Sequence, residues 1–399
     1  MDKVAEAPIG GTVAQGFEEV EVVFRENFRE RDELGAACAV YREGEKVVDL
    51  WGGYRDLARG LPWQEDTLVM VYSTTKGLAG MAVAVAHSRG LLSYDETVAT
   101  YWPEFARRGK ENITVRQLLS HQAGLSGLDR PLNLATIADR DALAATIAGQ
   151  EPAWEPGTRH GYHGISLGWY EGELIRRVDP DHRSLGRFFE EEIAEPLGLE
   201  FYIGVPPDVP GSRVAEIKAF RPERMLLHMT TMPPGMVLAL MNPRSLTSRS
   251  LNQIKDRGIS GPADLNTPEI RALEMPALGG VGQVRSIAKA YGVLATGGRE
   301  LGITGETLDT LTSPAEAPSR GIRDMVLHVD TCFSLGFIKP FPDFSFGTSE
   351  KAFGISFGFA DPDARVGFAY APNRMGFHNW DDPREKALRD ALNRCLRRR

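Results

Sequence analysis

The sequence predicts an α/β fold combined with an all-α part: an antiparallel sheet flanked by helices, with a mostly helical region in the middle of the chain. Three observations support this prediction. β-type runs occur early, helical and loop-rich segments fill the middle, and further β-type runs return near the end. Because both groups of strands are short and apolar, we expect them to join in one sheet.

The first segments predict a helix followed by a hairpin. Residues 17–31, "FEEVEVVFRENFRER", carry apolar side chains at helical spacing among charges, which is typical of an amphipathic helix. Residues 36–41 and 46–52 are β-type runs separated by Arg-Glu-Gly-Glu, a sequence that favours a tight turn. An antiparallel sheet is therefore expected to begin here.

The middle of the chain predicts helices. Residues 77–88 are rich in Ala, Gly, Met and Val, so this helix should be buried on most sides and end at the glycine of Arg89-Gly90. Further helices are predicted over residues 114–120, 140–148 and 184–195. The stretches "MNPRSLTSRSLNQ" and "ISGPADLNTPE" are predicted as loops.

The last part of the chain returns to strands. "FSLGFIK", "FGISFGFAD" and "RVGFAYA" have β-type composition, and "PREKALRDALNRCLRR" is a closing helix. The predicted sheet is thus divided between the two ends of the chain.

Composition excludes several classes of function. The chain has 399 residues, 42% of them apolar and 25% charged, with a formal charge of -8, and its one basic run is "RCLRRR" at the end. Nucleic acid is therefore not an expected partner.

The N-terminus lacks a signal-peptide pattern and no apolar stretch approaches about 20 residues, so we expect a cytoplasmic protein without a membrane span. Three cysteines at unrelated spacings predict free thiols rather than a disulfide framework.

Ser73 and Lys76 form the first candidate catalytic pair. They stand three residues apart in "VYSTTKGLAGMAV", where a β-type run gives way to the predicted helix. At the start of a helix this spacing places hydroxyl and amine on one face, and a lysine in an apolar pocket can lose its proton and act as a base. Ser286 and Lys289 share the spacing, so the pair by itself does not distinguish a catalytic site from an ordinary helix.

Two G-x-S-x-G matches, residues 164–168 ("GISLG") and 354–358 ("GISFG"), offer a competing nucleophile. A hydrolase elbow needs a strand directly before the serine and a helix directly after it. The first match has helical spacing through its serine and the second has strand patterns on both sides. Neither supplies the required context.

Tyr162 extends the Ser73 constellation. It lies in the turn-rich segment "WEPGTRHGYHG", residues 154–164, just before a predicted helix. A tyrosine there can relay a proton between lysine, serine and leaving group, although a lone tyrosine is more often a packed aromatic side chain.

Four ordered motifs, "STTK", "VRQLLSHQAGL", "WEPGTRHGYHG" and "FGFADPDARVGFAYAPNRMG", resemble those of the serine β-lactamase-like family. The similarity is to the class C-like branch that includes family VIII carboxylesterases and related transesterases, and it extends from about residue 17 to the end. It implies a beta-lactamase/transpeptidase-like fold, with residues 1–72 and 320–399 forming an α/β domain and residues 73–319 forming a mostly helical inserted region.

The resemblance implies a role for each motif residue. Ser73 would be the acyl-accepting nucleophile, Lys76 its base partner and Tyr162 the tyrosine of the family's Y-x-N motif. The Ser73 backbone N–H would be one oxyanion donor. His121, in the second motif, is expected to hold local structure by hydrogen bonds.

Two departures from the family pattern bear on specificity. Gly164 stands where β-lactamases carry the asparagine of Y-x-N, so the amide that holds a lactam side chain is missing. The late strand lacks the K-T-G or glycine-rich segment and is shortened, which leaves Gly354, Ile355 and Ser356 as candidates for the second oxyanion donor. His163 and Trp154, near Tyr162, complete the candidate substrate-binding set.

The sequence therefore predicts a serine carboxylesterase that acts on small esters through an acyl-enzyme. Transesterase, weak β-lactamase or D-amino-acid peptidase activity at the same site, and a catalytically impaired ligand-binding relative, are the alternatives. No cofactor and no metal are expected, because the histidine spacings suggest no metal site. Loops between residues 225 and 249 are expected to line the cleft.

Overall fold

The computed structural model describes residues 7–219, 232–376, 378 and 381–398. Among these residues, nine strands form one antiparallel sheet in the order β1-β3-β2-β12-β11-β10-β9-β8, with β4 paired to β3. The strands of this sheet are β1 Ile9–Val13, β2 Gly35–Arg42, β3 Glu45–Asp56, β4 Leu61–Pro62, β8 Phe333–Ser334, β9 Phe337–Ile338, β10 Phe353–Ile355, β11 Gly358–Asp361 and β12 Val366–Pro372.

The two ends of the chain meet at the pairing of β2 with β12. Seven residue pairs, from Val366↔Arg42 to Pro372↔Ala36, join an N-terminal strand to a C-terminal one. The predicted fold class, a sheet drawn from both chain ends and flanked by helices, is confirmed.

Alternation along β2 explains the helical layers on both faces of the sheet. Cys38 and Val40 lie in the apolar cluster that includes α1 (Glu18–Glu30) and α15 (Pro383–Arg397), whereas Ala39 lies in the cluster that includes α13 (Val284–Ala295). Successive side chains of a strand point to opposite faces, so both faces of this strand are covered.

Helix α2 (Thr75–Ser88) occupies the interior, and every residue from Thr75 to Ala86 is buried. Small residues make this possible: Gly80, for example, lies against the Phe337 ring, which a Cβ would approach to 3.2 Å. The helix ends before Gly90, whose φ of +69° is one that glycine adopts readily. The predicted buried helix is confirmed, with a start two residues earlier.

The middle of the chain is mostly helical. A small antiparallel sheet, β5 (Val69–Met70), β7 (Gly280–Gly282) and β6 (Phe201–Ile203), leads into the segment before α2. The remaining α-helices are α3 Val98–Tyr101, α4 Val115–Leu119, α5 Leu134–Ala138, α6 Arg140–Ala148, α7 Ser166–Val178, α8 Leu185–Phe189, α9 Glu195–Leu197, α10 Pro234–Leu240, α11 Leu246–Leu251, α12 Pro268–Arg271 and α14 Gly305–Thr312.

Three local predictions differ from the structure. The stretch "ISGPADLNTPE", predicted as a loop, contains the 3-10 turn Pro262–Leu265 and the start of α12. The helix predicted over residues 184–195 is interrupted by a π turn at Glu190–Ala194, between α8 and α9. The stretch "MNPRSLTSRSLNQ", predicted as a loop, contains α11, which begins after Ser245 because the Ser245 hydroxyl accepts the Ser248 N–H. Ser245 is therefore a helix cap rather than a loop residue.

The division into two domains remains a prediction. Strands of the large sheet lie on both sides of residues 73–319, as that division supposes. However, α13 belongs to the predicted inserted region and still packs directly on the sheet: a Cβ at Gly367 of β12 would come within 2.1 Å of the Gly292 nitrogen. The boundary near residue 320 thus separates chain segments that share one core.

Candidate active site

Ser73 lies in a single 3-10 turn, Tyr72–Thr74, between β5 and α2. The turn is held on both sides, since the Val71 N–H donates to the Gly280 carbonyl and the Thr75 hydroxyl donates to the Tyr72 carbonyl. Tyr72 has a φ of +45°, a strained conformation for a bulky residue. Such strain directly before Ser73 indicates that the turn's shape is imposed by its surroundings.

Lys76 is fully buried, and its Nζ atom has three oxygen partners. It lies 3.2 Å from Ser73 Oγ, 2.8 Å from the Gly164 carbonyl oxygen and 2.8 Å from the Ala277 carbonyl oxygen. A neutral amine has two N–H donors and one lone pair. In that neutral form the two carbonyls can take both donors, and the lone pair then faces the Ser73 hydroxyl.

Tyr162 contacts the same hydroxyl from another direction. Its phenol lies 2.8 Å from Ser73 Oγ, and Lys76 Nζ is 4.8 Å from the centre of its ring. The ring stacks on Phe333 of β8 with a centroid distance of 5.7 Å. The structure thus brings together Ser73, Lys76 and Tyr162, the three residues that the sequence predicts as catalytic.

Side chains from distant segments hold the backbone around Tyr162. The Tyr162 N–H donates to Asp324 Oδ2 at 2.9 Å, and its carbonyl accepts the Ser250 hydroxyl at 2.7 Å. Ser250 Oγ also accepts the Gly164 N–H at 3.1 Å. Burial raises the pKa of Asp324 to about 7, while the N–H donors of Leu327, Val326 and Tyr162 act in the opposite direction.

His121 and His163 form a buried imidazole pair beside Tyr162. The His163 N–H donates to His121 Nδ1 at 3.1 Å, and the two Nδ1 atoms are 2.9 Å apart. Because His121 Nδ1 accepts the backbone N–H, it carries no proton, so the proton between the rings belongs to His163 Nδ1. Burial lowers the pKa of His163 to about 3 and that of His121 well below its usual value, so both rings are neutral. His121 has the structural hydrogen-bonding role that the sequence predicts.

Glu171 of α7 is a further buried group near the site. Among the described residues, neither of its carboxyl oxygens has a hydrogen-bond partner. Burial raises the pKa of Glu171 well above its usual value, although the charge of Lys76 opposes this shift. A neutral carboxylic acid is therefore expected here, and it adds no negative charge near the lysine.

The late strand ends in a very short hairpin. Ile355 pairs with Gly358 across β10 and β11, so Ser356 and Phe357 form a two-residue turn in which Ser356 has a φ of +52°. Ser356 and Ser73 line the same cavity, of about 230 Å³. This cavity has both apolar and charged walls; the other lining residues are Met70, Val71, Tyr72, Thr74, Ile217, Phe344, Phe357, Ala371, Pro372, Asn373, Arg374, Met375, Gly376, His378, Asp381, Asp382 and Glu385.

The other candidate residues lie elsewhere. His163 is fully buried against His121, and Trp154 donates from its indole N–H to the Arg159 carbonyl at 2.9 Å; neither belongs to the described lining of the cavity. Gly354 and Ile355 lie in β10 behind the turn. Of the loops expected to line the cleft, residues 225–231 lie outside the described residues, and residues 232–249 are not among those that line this cavity.

The competing serines have structural roles. Ser166 is the first residue of α7, with no strand directly before it, and its hydroxyl donates to the Leu125 carbonyl. Ser356 is followed by a strand, so it does not form an elbow either. Ser286 accepts the Glu200 N–H, and Lys289 donates to the Leu197 carbonyl, so the second S-x-x-K pair serves the fold.

Sequence reasoning missed Asp324, Ser250, Ala277 and Glu171. Only Glu171 had a visible signal, as an acidic residue within the buried face of α7. The others act through contacts with segments far away in the chain, for which spacing gives no indication. In the part of the chain that the structure describes, no group of three or more His, Cys, Asp or Glu side chains could hold a metal ion, and no helix has the length and apolarity to cross a membrane.

Comparison with known proteins identifies the family. The profile described as Beta-lactamase matches residues 24–393. The chain belongs to the beta-lactamase family. The relative "Esterase/beta-lactamase LipL" of Mycobacterium tuberculosis is 33% identical over 343 residues, which are 86% of this chain and 77% of that protein. The beta-lactamase family match includes Ser73, Lys76 and Tyr162.

Solved structures show the same fold. A family VIII carboxylesterase superposes with a TM-score of 0.83 and 38% identity, covering 97% of this chain and 100% of that one. A penicillin-binding protein homolog from Caulobacter crescentus gives a TM-score of 0.81 and 36% identity, with 97% and 100% coverage. The fold is the beta-lactamase/transpeptidase-like fold of these proteins.

Proposed function

We propose that this chain is a serine hydrolase that cleaves small carboxylic esters through an acyl-enzyme on Ser73. The observation that carries the proposal is that Ser73 Oγ lies within hydrogen-bond distance of both Lys76 Nζ and the Tyr162 phenol, at 3.2 and 2.8 Å. A serine with two proton-transfer partners at the wall of a cavity has the parts that acyl transfer needs.

Acylation begins with the neutral Lys76 amine taking the Ser73 proton. Ser73 Oγ attacks the ester carbonyl carbon, and the carbonyl oxygen becomes an oxyanion. When this intermediate collapses, the bond to the leaving oxygen breaks and that oxygen takes up a proton delivered through Tyr162 from Lys76. The alcohol departs, and the acyl group remains on Ser73.

Deacylation repeats the sequence with water. Lys76 and Tyr162 take a proton from the attacking water, which adds to the acyl carbonyl carbon, and the proton returns to Ser73 Oγ as the acid leaves. An alcohol in place of water gives transesterification by the same steps, so the two reactions differ only in the acceptor. The net hydrolytic reaction converts ester and water to acid and alcohol.

Two backbone N–H groups are proposed as oxyanion donors. Ser73 would supply one, and the hairpin turn at Ser356 would supply the other, since this turn faces the cavity that Ser73 lines. Gly354 and Ile355 support the turn from β10. We assign no substrate contact to His163 or Trp154, because neither is among the residues that line the cavity.

The surroundings of Gly164 favour esters over β-lactams. A Cβ at this position would come within 2.7 Å of the Ser250 carbonyl oxygen and 3.0 Å of a Leu251 methyl group. Helix α11 therefore fills the space in which the asparagine of Y-x-N would stand. A site without that amide, and without room for it, has lost a contact to the lactam side chain.

The relatives support the ester assignment. Two of the three described above are named as esterases, one of them also as a β-lactamase. The complete Ser73, Lys76 and Tyr162 arrangement argues against a ligand-binding protein without catalysis, because such a protein has no need for a lysine directed at a serine.

The test uses p-nitrophenyl butyrate with the wild type and three variants. Ser73→Ala should lower kcat/KM by at least about a thousandfold, because the nucleophile is lost. Ser286→Ala is the matched control from the second S-x-x-K pair and should keep full activity. A serine-reactive fluorophosphonate should label the wild type at Ser73 only.

Three outcomes oppose the proposal. Full turnover by Ser73→Ala with loss of activity in Ser356→Ala would identify Ser356, in the hairpin between β10 and β11, as the nucleophile. The absence of both turnover and labelling in the wild type would favour the ligand-binding alternative. Faster hydrolysis of nitrocefin than of any short ester would make the chain a β-lactamase.

A further inference from the structure

Asp324 is a buried carboxylate that no part of the proposed reaction uses. It is 1% exposed and lies between β7 and β8 in the chain, 162 residues from Tyr162. Its Oδ1 atom accepts the N–H groups of Val326 and Leu327, both at 2.7 Å, and its Oδ2 atom accepts the Tyr162 N–H at 2.9 Å. One oxygen thus shapes its own loop, and the other reaches the candidate active site.

The Asp324 loop, residues 313–332 between α14 and β8, runs along the segment before Tyr162. The Ser319 N–H donates to the Gly157 carbonyl, and the Met325 N–H donates to the His160 carbonyl. His160 Nε2 in turn contacts the Ile322 carbonyl at 2.7 Å and the Thr331 hydroxyl at 3.0 Å. These bonds hold the Asp324 loop alongside residues 157–160. Of the loop groups that make these bonds and the Asp324 carboxylate, it is the carboxylate that contacts Tyr162.

We propose that Asp324 is a positioning residue, whose carboxylate fixes the Tyr162 backbone so that the phenol stays on Ser73 Oγ. This inference rests on the proposed function for its kinetic part. The atom at the Oδ2 position must be a hydrogen-bond acceptor, because it faces the Tyr162 N–H. A carboxylate supplies acceptors on both oxygens, whereas an amide of the same shape would place its own N–H₂ against one of the donors.

Displacement of Tyr162 should affect the reaction rate more than substrate binding. The phenol transfers protons and contacts the nucleophile, and misplacing such a group by about 1 Å can cost about a hundredfold in rate. The cavity walls described above do not include Asp324 or its loop. A loss of kcat with little change in KM therefore distinguishes positioning of Tyr162 from damage to substrate binding.

The experiment compares Asp324→Asn with Asp330→Asn at pH 8, above the pKa of Asp324. Asp330 is in the same loop, is half-exposed and pairs with Arg323, so its variant makes the same charge change without touching Tyr162. Asp324→Asn should lower kcat for p-nitrophenyl butyrate, and the rate of fluorophosphonate labelling at Ser73, by about 10 to 100-fold with KM within about threefold. Asp330→Asn should remain within about twofold of the wild type.

A double variant tests whether Asp324 acts through Tyr162. In a Tyr162→Phe background, Asp324→Asn should cost less than about threefold, because the group it positions is already absent. Equal losses in both backgrounds would overturn the inference, as would an Asp324→Asn enzyme within twofold of the wild type.

Hydrogen exchange separates this inference from the proposed function. Asp324→Asn should speed exchange of the Tyr162 amide, measured on a peptide containing residues 157–165, whether or not the protein hydrolyses esters. Unchanged exchange overturns the inference while leaving esterase activity a separate question. If a wild type without turnover or labelling refutes the esterase proposal, this exchange measurement still decides the role of Asp324.

A second substitution, Asp324→Ser, tests the same inference if Asp324→Asn does not fold. Asp324→Ser keeps a hydroxyl that can accept the Val326 or Leu327 N–H but is too short to reach Tyr162. It should retain the native melting transition and show the same kcat loss. If both variants fail to fold, Asp324 is a residue of the fold and the positioning role is withdrawn.

Discussion

The Gly164 carbonyl lies 2.8 Å from Lys76 Nζ, so the residue that stands where β-lactamases carry an asparagine also orients the lysine. The same residue is closed in by Ser250 and Leu251 of α11. Gly164 therefore links two properties of the site, the direction of the Lys76 amine and the absence of an amide for a lactam side chain.

Restoring the asparagine should not restore a β-lactamase. Gly164→Asn must move α11 or the Tyr162 segment, so we expect esterase activity to fall about tenfold or more and the free energy of unfolding to fall by about 1 to 3 kcal/mol. Nitrocefin and p-nitrophenyl butyrate assays, with urea denaturation, measure these effects. Gly172→Asn is the control, because a Cβ at Gly172 meets no atom within 4 Å. A gain of lactam hydrolysis in Gly164→Asn would show that the space beside residue 164 can hold the asparagine side chain.

Loss of the Lys76 amine should nearly abolish turnover. Lys76→Met removes the base and leaves the Gly164 and Ala277 carbonyls without their donor, so kcat/KM should fall by about a thousandfold or more. Lys289→Met, in the second S-x-x-K pair, should keep wild-type activity because the Lys289 amine donates to the Leu197 carbonyl, far in the chain from Ser73. Comparable losses in the two variants would indicate a general effect on folding rather than loss of a base.

The role of Ser356 can be assigned to its backbone or to its hydroxyl. If the hairpin donates a backbone N–H, Ser356→Ala should stay within about threefold of wild-type kcat/KM. Ser356→Gly should also be active, and should be more stable by about 1 kcal/mol because glycine readily adopts the φ of +52° found here. Thermal melting and ester kinetics test both variants. Loss of activity in both, with unchanged melting, would give the hydroxyl a direct role.

Protonation of His163 should contribute to acid unfolding. Its folded pKa of about 3 is below the ordinary value of 6.5, so the unfolded state binds the proton more readily. Stability is therefore present above about pH 6.5 and decreases as the pH falls towards 3, by about 1.4 kcal/mol per pH unit from this group. His163→Asn keeps an N–H donor for His121 Nδ1 and should lose less stability than the wild type between pH 7 and 4.5.

Urea denaturation at the two pH values measures this difference. The exposed His182, whose φ of +51° suits asparagine, provides the control variant His182→Asn. Its pH dependence should match that of the wild type. A His163→Asn protein with the full wild-type loss of stability would show that the imidazole does not take part in the acid transition.

The sequence by itself determined most of the elements, and it predicted Ser73, Lys76 and Tyr162 as one group, whose polar atoms meet at Ser73 Oγ in the structure. Periodicity placed α1, the β2–β3 hairpin, the buried helix α2 and the closing helix, because each depends on side chains close together in the chain. Spacing placed Lys76 on the same face as Ser73 for the same reason. Ordered motifs, rather than spacing, separated this pair from Ser286 and Lys289.

Only the tertiary structure decided how the site is held. Lys76 meets Gly164 across 88 residues and Ala277 across 201, and Tyr162 meets Asp324 across 162. Contacts of this kind depend on how segments pack, and no local pattern encodes the partner of a buried carboxylate or carbonyl. The folded chain also decided that α11 fills the space beside Gly164, because the volume open to a side chain is set by neighbours that folding brings together.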